Sequence, residues 1–373
     1  MRKIIVFLLT ILCFIGVSVA IYADTPSLCS GSSSAILYEL NTDTILYEKQ
    51  INKRVSPASM TKIMTLLLIY EDLEKGIIKK ETIFTITSEA ANTEGSKAYL
   101  SVGEKITVDD LLKCIAIASA NDAARTMAIE LAGTEEEFVK RMNEKVNELG
   151  LKDTIFSDCT GLASNNHYTS AYDMAIISRE LLSKYPDVLN YTNIKEDYIR
   201  KDTEKPFWLV NTNKLIGRIE GVNGLKTGFT SFSKYCITLH MEKDNMDLIS
   251  VVFGYDKPIK RNKESLELLR YGMSNYKVDK ALSKGETLES INHILYKGKI
   301  DIVVKEDVYY LTKKTDTSNF KHEYTYKLKD KSSEIMVYMN DKVIYKSCLE
   351  FKNIENKKNI FELMISVVKD TFI

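Results

Sequence analysis

Residues 55–65 have the sequence VSPASMTKIMT, which predicts the start of a helix that carries a serine and a lysine one turn apart. Ser56 suits the capping position and Pro57 the first helical position, because proline lacks the amide hydrogen that would be unpaired there. Ser59 then lies in the first turn, where backbone N–H groups are free and the helix dipole favours an anion. Lys62 follows on the same face and can reach the Ser59 hydroxyl. The pair is a candidate nucleophile and base, although an ordinary helix start with a solvated lysine explains the same residues.

The segments on either side of this helix predict a sheet with helices on its faces. Residues 35–40 and 44–49 alternate apolar and polar side chains around a short polar turn, which is typical of a β-hairpin. Three further strands are predicted at 224–230, 235–241 and 248–254, the last two joined by a turn around Asp244 and Asn245. Strands from both ends of the domain, with helices between them, indicate an α+β fold.

Capping patterns and apolar runs place the helices between those strands. The apolar run at 63–70 predicts a helix that is buried on most sides. Thr107 and Thr134 each precede acidic residues in a capping pattern, and a break is predicted at 119–122. The other predicted helices are at 171–184 and 261–271.

The residue composition and pattern of the sequence change from about residue 278. Runs rich in tyrosine and valine alternate with charged turns, which predicts a small all-β domain without a catalytic constellation. We therefore expect four parts: a signal peptide at 1–23, a catalytic domain at 24–276, a β-rich domain at 277–352 and an amphipathic helix at 353–373.

The two ends of the chain predict contact with a membrane. Arg2 and Lys3 precede an apolar run and then small residues, which is typical of a secretory signal peptide cleaved after Ala20 or Ala23; the alternative is an uncleaved anchor. Residues 360–373 have polar side chains on one helical face and apolar ones on the rest. This segment is too short and too charged to span a bilayer but suits its surface. The alternative is a terminal helix docked on its own protein or on a second copy.

Composition excludes several classes of function. Basic and acidic residues are equal in number, 51 each, so we expect no nucleic-acid partner. The six cysteines are isolated in sequence, which argues against a disulfide framework. No C-x-x-C motif and no histidine pair at ligand spacing is present, so we expect neither a metal nor another cofactor. The four histidines are scattered and no G-x-S-x-G motif accompanies them, which disfavours a Ser-His-Asp hydrolase.

Two more short motifs make a catalytic role for Ser59 and Lys62 more specific than that pair alone. Ser119-x-Asn121 lies at the predicted break between helices, where side chains can project into a cleft, and Lys226-Thr227-Gly228 lies early in a predicted strand. Each motif alone is weak, but their order, separation and different settings make the combination specific. A second S-x-x-K sequence begins at Ser231 in a stretch that predicts a strand, where odd spacing would place its two side chains on opposite faces.

Together these motifs resemble the three motifs of penicillin-recognising serine enzymes. Their wider context, SPASMTK at 56–62, SANDAA at 119–124, HYTSAYDMA at 167–175 and KTGFT at 226–230, is similar to the D-alanyl-D-alanine carboxypeptidases among low-molecular-mass penicillin-binding proteins. The resemblance covers essentially the whole mature chain. It implies a β-lactamase/transpeptidase-like domain, peptidoglycan stem peptides as substrates, inhibition by β-lactams, and a location at the outer face of the cytoplasmic membrane.

The resemblance also implies a role for each catalytic residue. Ser59 would attack the carbonyl between two terminal D-alanines and form an acyl-enzyme that water hydrolyses. Lys62 would accept the serine proton, provided that burial and the nearby Lys226 keep it neutral. Ser119 would pass a proton to the leaving amine, and Asn121 would position Lys62 and the substrate amide.

The third motif would bind the substrate. Lys226 and Thr227 would hold its terminal carboxylate, and Gly228 would leave room for an extended peptide along the strand. The backbone N–H groups of Ser59 and Phe229 would form the oxyanion hole, the second by analogy with the family.

A β-lactamase shares these motifs, so the choice between the two depends on another observation. Class A β-lactamases deacylate with a glutamate in the loop between the second and third motifs. Residues 151–179 contain no glutamate, only three aspartates, of which Asp173 is expected to be structural. We therefore favour a carboxypeptidase that deacylates penicillins slowly. A non-catalytic wall-binding protein of the same fold is the third reading, and it predicts the loss of a motif residue, which is not seen.

Overall fold

A computed structural model describes residues 28–162, 166–316, 320–327, 332–339, 341–354 and 357–365. The predicted signal peptide lies outside these residues, and so do residues 366–373 of the predicted C-terminal helix.

Helices and strands are numbered in chain order. The strands are β1 (Ser34–Glu39), β2 (Thr44–Lys49), β3 (Ile83–Thr85), β4 (Lys105–Thr107), β5 (Glu196–Ile199), β6 (Phe207–Val210), β7 (Val222–Thr230), β8 (Lys234–Lys243), β9 (Met246–Tyr255), β10 (Tyr276–Leu282), β11 (Thr287–Asn292), β12 (Lys299–Val304), β13 (Val308–Lys313), β14 (Phe320–Lys327), β15 (Ser332–Met339), β16 (Lys342–Ser347) and β17 (Leu349–Lys352). The α-helices are α1 (Lys62–Glu74), α2 (Ser88–Ala91), α3 (Val108–Ala116), α4 (Asn121–Ala132), α5 (Glu135–Glu148), α6 (Ala171–Lys184), α7 (Leu189–Thr192) and α8 (Pro258–Asn275), and 3₁₀ turns cover Ala58–Thr61 and Pro186–Val188.

The N-terminal part of the described chain is organised on an antiparallel sheet with the strand order β2-β1-β9-β8-β7. Its first hairpin and its last three strands lie where the alternation predicted them. The turn between β8 and β9 has positive φ at both Asp244 and Asn245, 52° and 63°, which matches the twist of a tight hairpin. The predicted α+β arrangement, with strands from both ends of the domain in one sheet, is confirmed, and it leaves β7 at an edge.

Both faces of the sheet are covered by helices. On β1, Ile36 and Tyr38 pack into a large core with α1, whereas Ala35 and Leu37 face a second core with α8. Residues 62–72 of α1 are all buried, as the apolar run predicted. The helix that carries the Ser59 motif is therefore held on all sides, which fixes the position of its first turn.

The prediction for the start of this helix was wrong in detail. Pro57 precedes a 3₁₀ turn over Ala58–Thr61, and no side chain caps that turn. Ala58 has φ of 47°, a left-handed conformation that costs about 1–2 kcal/mol and cannot belong to a regular α-helix. Ser59 still lies in the first turn, and α1 proper begins at Lys62. The caps predicted at Thr107 and Thr134 are confirmed, since each side chain accepts a hydrogen bond from the N–H three residues later.

The C-terminal part of the described chain is the predicted small all-β domain. It starts with β10, directly after α8, and its core includes Ile302, Val304 and Val337. Residues 360–365 are helical, and Phe361 and Met364 are exposed there. Within the described ranges, no helix combines the length and apolarity needed to cross a membrane. The cysteines of those ranges are unpaired, consistent with their isolated spacing.

Candidate active site

The structure brings all three motifs together at one cleft of about 580 Å³. Ser59, Ser119 and Thr227 line it, together with Gly228 and Phe229. Lys62, Asn121 and Lys226 are buried side chains of the same motifs. The other S-x-x-K sequence is not part of the site: Ser231 lies in the turn between β7 and β8, not in a strand as expected.

Among the described residues, the Lys62 amine has three polar neighbours, and only one of them can give it a proton. Its Nζ lies 3.3 Å from Ser59 Oγ, 2.6 Å from Asn121 Oδ1 and 2.8 Å from the Thr160 carbonyl oxygen. Asn121 is oriented because its Nδ2 donates to the Glu94 carbonyl, so that Oδ1 faces the lysine. A neutral amine has two hydrogens and one lone pair, and the two acceptors take the hydrogens. The lone pair is therefore left for the hydroxyl of Ser59.

Burial of the Lys62 side chain favours the neutral form of its amine. The side chain is fully buried, and this burial lowers its pKa from the usual 10.5 to about 8, against smaller opposing effects that include Asp158 and Asp122. Burial also lowers the pKa of Lys226, and repulsion from Lys62 lowers it further. The sequence argument expected both burial and Lys226 to lower the pKa of Lys62; the structure attributes the shift to burial, and Lys226 is not among its causes.

Ser119 presents an unpaired hydroxyl to the cleft. It lies between α3 and α4, at the predicted break, with φ of 62°. Its Oγ is buried and has no hydrogen-bond partner among the described residues. A buried hydroxyl without a partner is uncommon, and strained backbone of this kind concentrates at functional sites. The group is thus free to bond to a substrate.

Strand β7 supplies the opposite wall and an open edge. Lys226 is buried and donates to the Thr227 carbonyl at 3.3 Å, while the Thr227 hydroxyl donates to Thr212 Oγ1 at 2.8 Å. Within the described sheet, β7 pairs with β8 on one side only. Its other edge can accept an extended peptide by main-chain pairing.

The reason for glycine at position 228 differs from the one expected. A Cβ there would lie 2.6 Å from Cys236 Sγ and 2.9 Å from the Pro57 carbonyl oxygen. These atoms belong to the protein behind the strand, not to the space for a substrate. Gly228 therefore allows β7 to pack closely against the turn that carries Ser59.

The sequence argument missed three cations that line the cleft together with Thr227. Lys214, Arg218 and Arg261 also line the cleft. Arg261 is buried, its Nη1 donates to the Cys236 carbonyl at 3.3 Å, and burial lowers its pKa. No local pattern could have identified it, because its position on α8 meets β8 only in the folded chain. Together these residues make this end of the cleft suitable for a carboxylate.

The loop that follows α5 presents the Thr160 carbonyl to Lys62. Asp158 Oδ1 accepts hydrogen bonds from the N–H groups of Thr160 and Gly161 and from the Thr160 hydroxyl. Gly161 has φ of 89°, and a Cβ there would lie 1.8 Å from the Ala58 carbonyl oxygen. The loop thus lies directly behind the turn that carries the serine.

His167 joins the same loop to that turn. Its Nδ1 accepts the Ser157 N–H at 3.1 Å, so its hydrogen is assigned to Nε2, which lies 2.7 Å from Thr61 Oγ1. The Thr61 hydroxyl in turn donates to the Ala58 carbonyl at 2.8 Å. Burial lowers the pKa of His167, which favours this neutral form. The histidine therefore has a structural role here.

No carboxylate among the described residues lining the cleft takes the place of a deacylating glutamate. Asp173 is structural, as expected: its Oδ2 accepts from the Asp153 N–H and the Thr154 hydroxyl, each at 2.8 Å. Glu135 reaches the loop from α5, but its carboxylate is bound to Arg125 and to a backbone N–H. Within the described chain, no group of three or more acidic, histidine or cysteine side chains could hold a metal ion.

Comparisons with known proteins agree with this geometry. A family model described as D-alanyl-D-alanine carboxypeptidase matches residues 23–257. The D-alanyl-D-alanine carboxypeptidase DacF of Bacillus subtilis is 46% identical over 298 residues, which cover 79% of this chain and 76% of the relative. Penicillin-binding protein 5 of Haemophilus influenzae superposes with a TM-score of 0.74 at 28% identity, over 88% of this chain and 98% of that one. Penicillin-binding protein D2 of Listeria monocytogenes, in its ampicillin-bound form, superposes with a TM-score of 0.59 at 29% identity, over 65% of this chain and 98% of that one.

Proposed function

Because the chain belongs to the D-alanyl-D-alanine carboxypeptidase family, serine hydrolases of peptidoglycan, we propose that Ser59 is its nucleophile and Lys62 its general base. The single observation that supports this most strongly is the environment of Lys62. Its amine is buried, and both of its other polar neighbours are acceptors. Deprotonated, it can only accept from Ser59.

The reaction then runs through an ester on Ser59. Its Oγ attacks the carbonyl carbon between the two terminal D-alanines while its proton passes to Lys62. The oxyanion is held by the N–H groups of Ser59 and Phe229. The unpaired Ser119 hydroxyl gives a proton to the leaving amine as the C–N bond breaks, and Ser119 recovers a proton from Lys62, which thereby returns to its neutral form. Water hydrolyses the ester after D-alanine has left.

The terminal carboxylate of the substrate lies at the cationic end of the cleft. Lys226 and Thr227 bind it directly, and Arg261 adds a second positive charge to the same wall. Asn121 holds Lys62 and receives the peptide amide. This arrangement explains why the enzyme would need a free C-terminus, since an amide or ester there would leave the cations without a counter-charge.

The same serine is the site of β-lactam acylation. A structurally similar Listeria protein has been crystallised with ampicillin, and this chain has the serine, the lysine and the carboxylate-binding end that such a drug requires. The described cleft has no glutamate to activate water, which supports slow deacylation and hence inhibition, as opposed to a β-lactamase.

We further propose that catalysis resides in residues 24–276 and that residues 277–352 are framework. The enzyme is exported by the signal peptide at 1–23 and held at the outer face of the cytoplasmic membrane by residues 353–373. Exposed apolar side chains at the described start of this helix, Ile360, Phe361 and Met364, support the last point. A chain that ends at residue 352 should lose sedimentation with anionic lipid vesicles and keep D-alanine release; retained sedimentation would favour docking of the helix on protein.

Labelling with a fluorescent penicillin tests the nucleophile. Ser59→Ala should abolish labelling, whereas Ser231→Ala, which alters the serine of the other S-x-x-K sequence, should leave it intact. Persistent labelling of Ser59→Ala would refute the assignment. In parallel, D-alanine release from diacetyl-Lys-D-Ala-D-Ala is measured against turnover of a chromogenic cephalosporin. Rapid cephalosporin turnover without D-alanine release would identify a β-lactamase.

A further inference from the structure

The proposed catalytic cleft is also lined by apolar side chains that the reaction does not use. Phe229 and Ile259 line the cleft, yet they are 53% and 80% exposed. Phe229 stacks on Tyr235 with ring centroids 4.2 Å apart, and Tyr235 also lines the cleft. Phe232, in the turn that follows β7, is 78% exposed. Exposed apolar side chains that gather at a cleft generally mark a binding site. The apolar ledge is defined here as Phe229, Phe232, Tyr235 and Ile259.

The direction in which a substrate lies follows from the charges and from the sheet. The carboxylate of the last residue is bound at Thr227, where Arg261 and other cations line the cleft. A peptide that adds to the free edge of β7 in an antiparallel sense has its C-terminus at Thr227 and runs back towards Phe229 and the turn. At about 3.3 Å per residue, the residue before the two D-alanines lies about 6.6 Å from Thr227 and comes opposite Phe229, beyond which the turn carries Phe232.

We propose that the apolar ledge binds the aliphatic side chain of the residue that precedes the two terminal D-alanines. The proposal rests on the function assigned above and deepens it by naming a third part of the substrate. A diamino acid at that position has several methylenes before its polar end, so its stem can cover the aromatic rings while the end reaches water.

Two peptides that differ only at this position test the proposal. The full chain is assayed for kcat/KM on diacetyl-L-Lys-D-Ala-D-Ala and on acetyl-L-Ala-D-Ala-D-Ala. We expect the unaltered enzyme to prefer the lysine peptide by about tenfold, the effect of losing a few buried methylenes. Ile259→Ser and Phe232→Ser should each reduce that preference severalfold, through a loss on the lysine peptide.

A matched control separates the ledge from general effects of exposed apolar residues. Ile77 is 62% exposed and does not line the cleft, so Ile77→Ser should leave both values unchanged. Equal rates on the two peptides in the unaltered enzyme, or equal losses on both in the ledge variants, would overturn the proposal. Acylation by 6-aminopenicillanic acid, which lacks an acyl side chain, is followed in parallel. If the unaltered enzyme released no D-alanine and formed no such adduct, the assigned function itself would fail.

Discussion

Acylation of the enzyme should follow the neutral fraction of Lys62. With a pKa of about 8, roughly a tenth of the amine is neutral at pH 7 and roughly nine tenths at pH 9. Since the neutral form is the base, the acylation rate constant should rise about tenfold across this interval and level off above it. Stopped-flow measurement with a fluorescent penicillin between pH 6 and 10 gives the midpoint directly.

A substitution beside the amine sharpens this prediction. Asn121→Asp would place a carboxylate where Oδ1 now lies, 2.6 Å from Lys62 Nζ. An adjacent negative charge favours the ammonium form and should raise the midpoint by about one to three pH units, which slows acylation at pH 7 by at least about tenfold. Lys62→Arg should lose acylation at every pH in this range, because guanidinium stays charged. A flat profile in the unaltered enzyme, or a midpoint that Asn121→Asp does not move upward, would refute the role of Lys62.

Two further predictions concern the supports of the site. Gly161→Ala should lower the free energy of unfolding by at least about 3 kcal/mol, because its Cβ would meet the Ala58 carbonyl in a left-handed backbone. The control Gly150→Ala, which has open space around it, should lower the free energy of unfolding by about 1 kcal/mol. Urea titration measures both losses, and equal losses would contradict the packing argument. Asp122→Asn removes a buried charge that raises the pKa of Lys62, so the midpoint of acylation should move below pH 8, and an unchanged midpoint would exclude this electrostatic contribution.

Local patterns were sufficient for much of the fold. Alternating side chains predicted the hairpin and the last three strands of the sheet, and threonine followed by acidic residues predicted two helix starts. The same kind of argument gave the wrong result at Ser56 and Pro57, where it predicted a capped α-helix start and the structure has a 3₁₀ turn. Ala58, which was expected in the first turn of a regular helix, is left-handed and lies against Gly161 and Gly228, residues far away in sequence. A start that depends on such packing cannot be derived from its own neighbours.

The candidate site likewise has some residues that local sequence could predict and others that it could not. The motif side chains that the structure brings together at the cleft could be predicted, because each lies in a short motif with its own structural setting. The Thr160 carbonyl that orients Lys62 could not, because a backbone oxygen carries no residue-type signal. Arg261 was missed because it meets the cleft from another helix, and Gly228 was assigned to the substrate because only coordinates show which way its Cβ would point.

The pairing of β1 with β9 has a consequence for how the chain reaches its native state. These strands are neighbours in the sheet, with Ile36 opposite Val251, although most of the domain lies between them in sequence. A chain made from its N-terminus cannot complete this sheet until β9 has emerged, and contacts between such distant segments form slowly. Until then, the apolar faces of the first hairpin and of α1 remain uncovered. Assembly of the enzyme should therefore be limited by the arrival of its last strands, and this is the stage at which it is most exposed to aggregation and proteolysis.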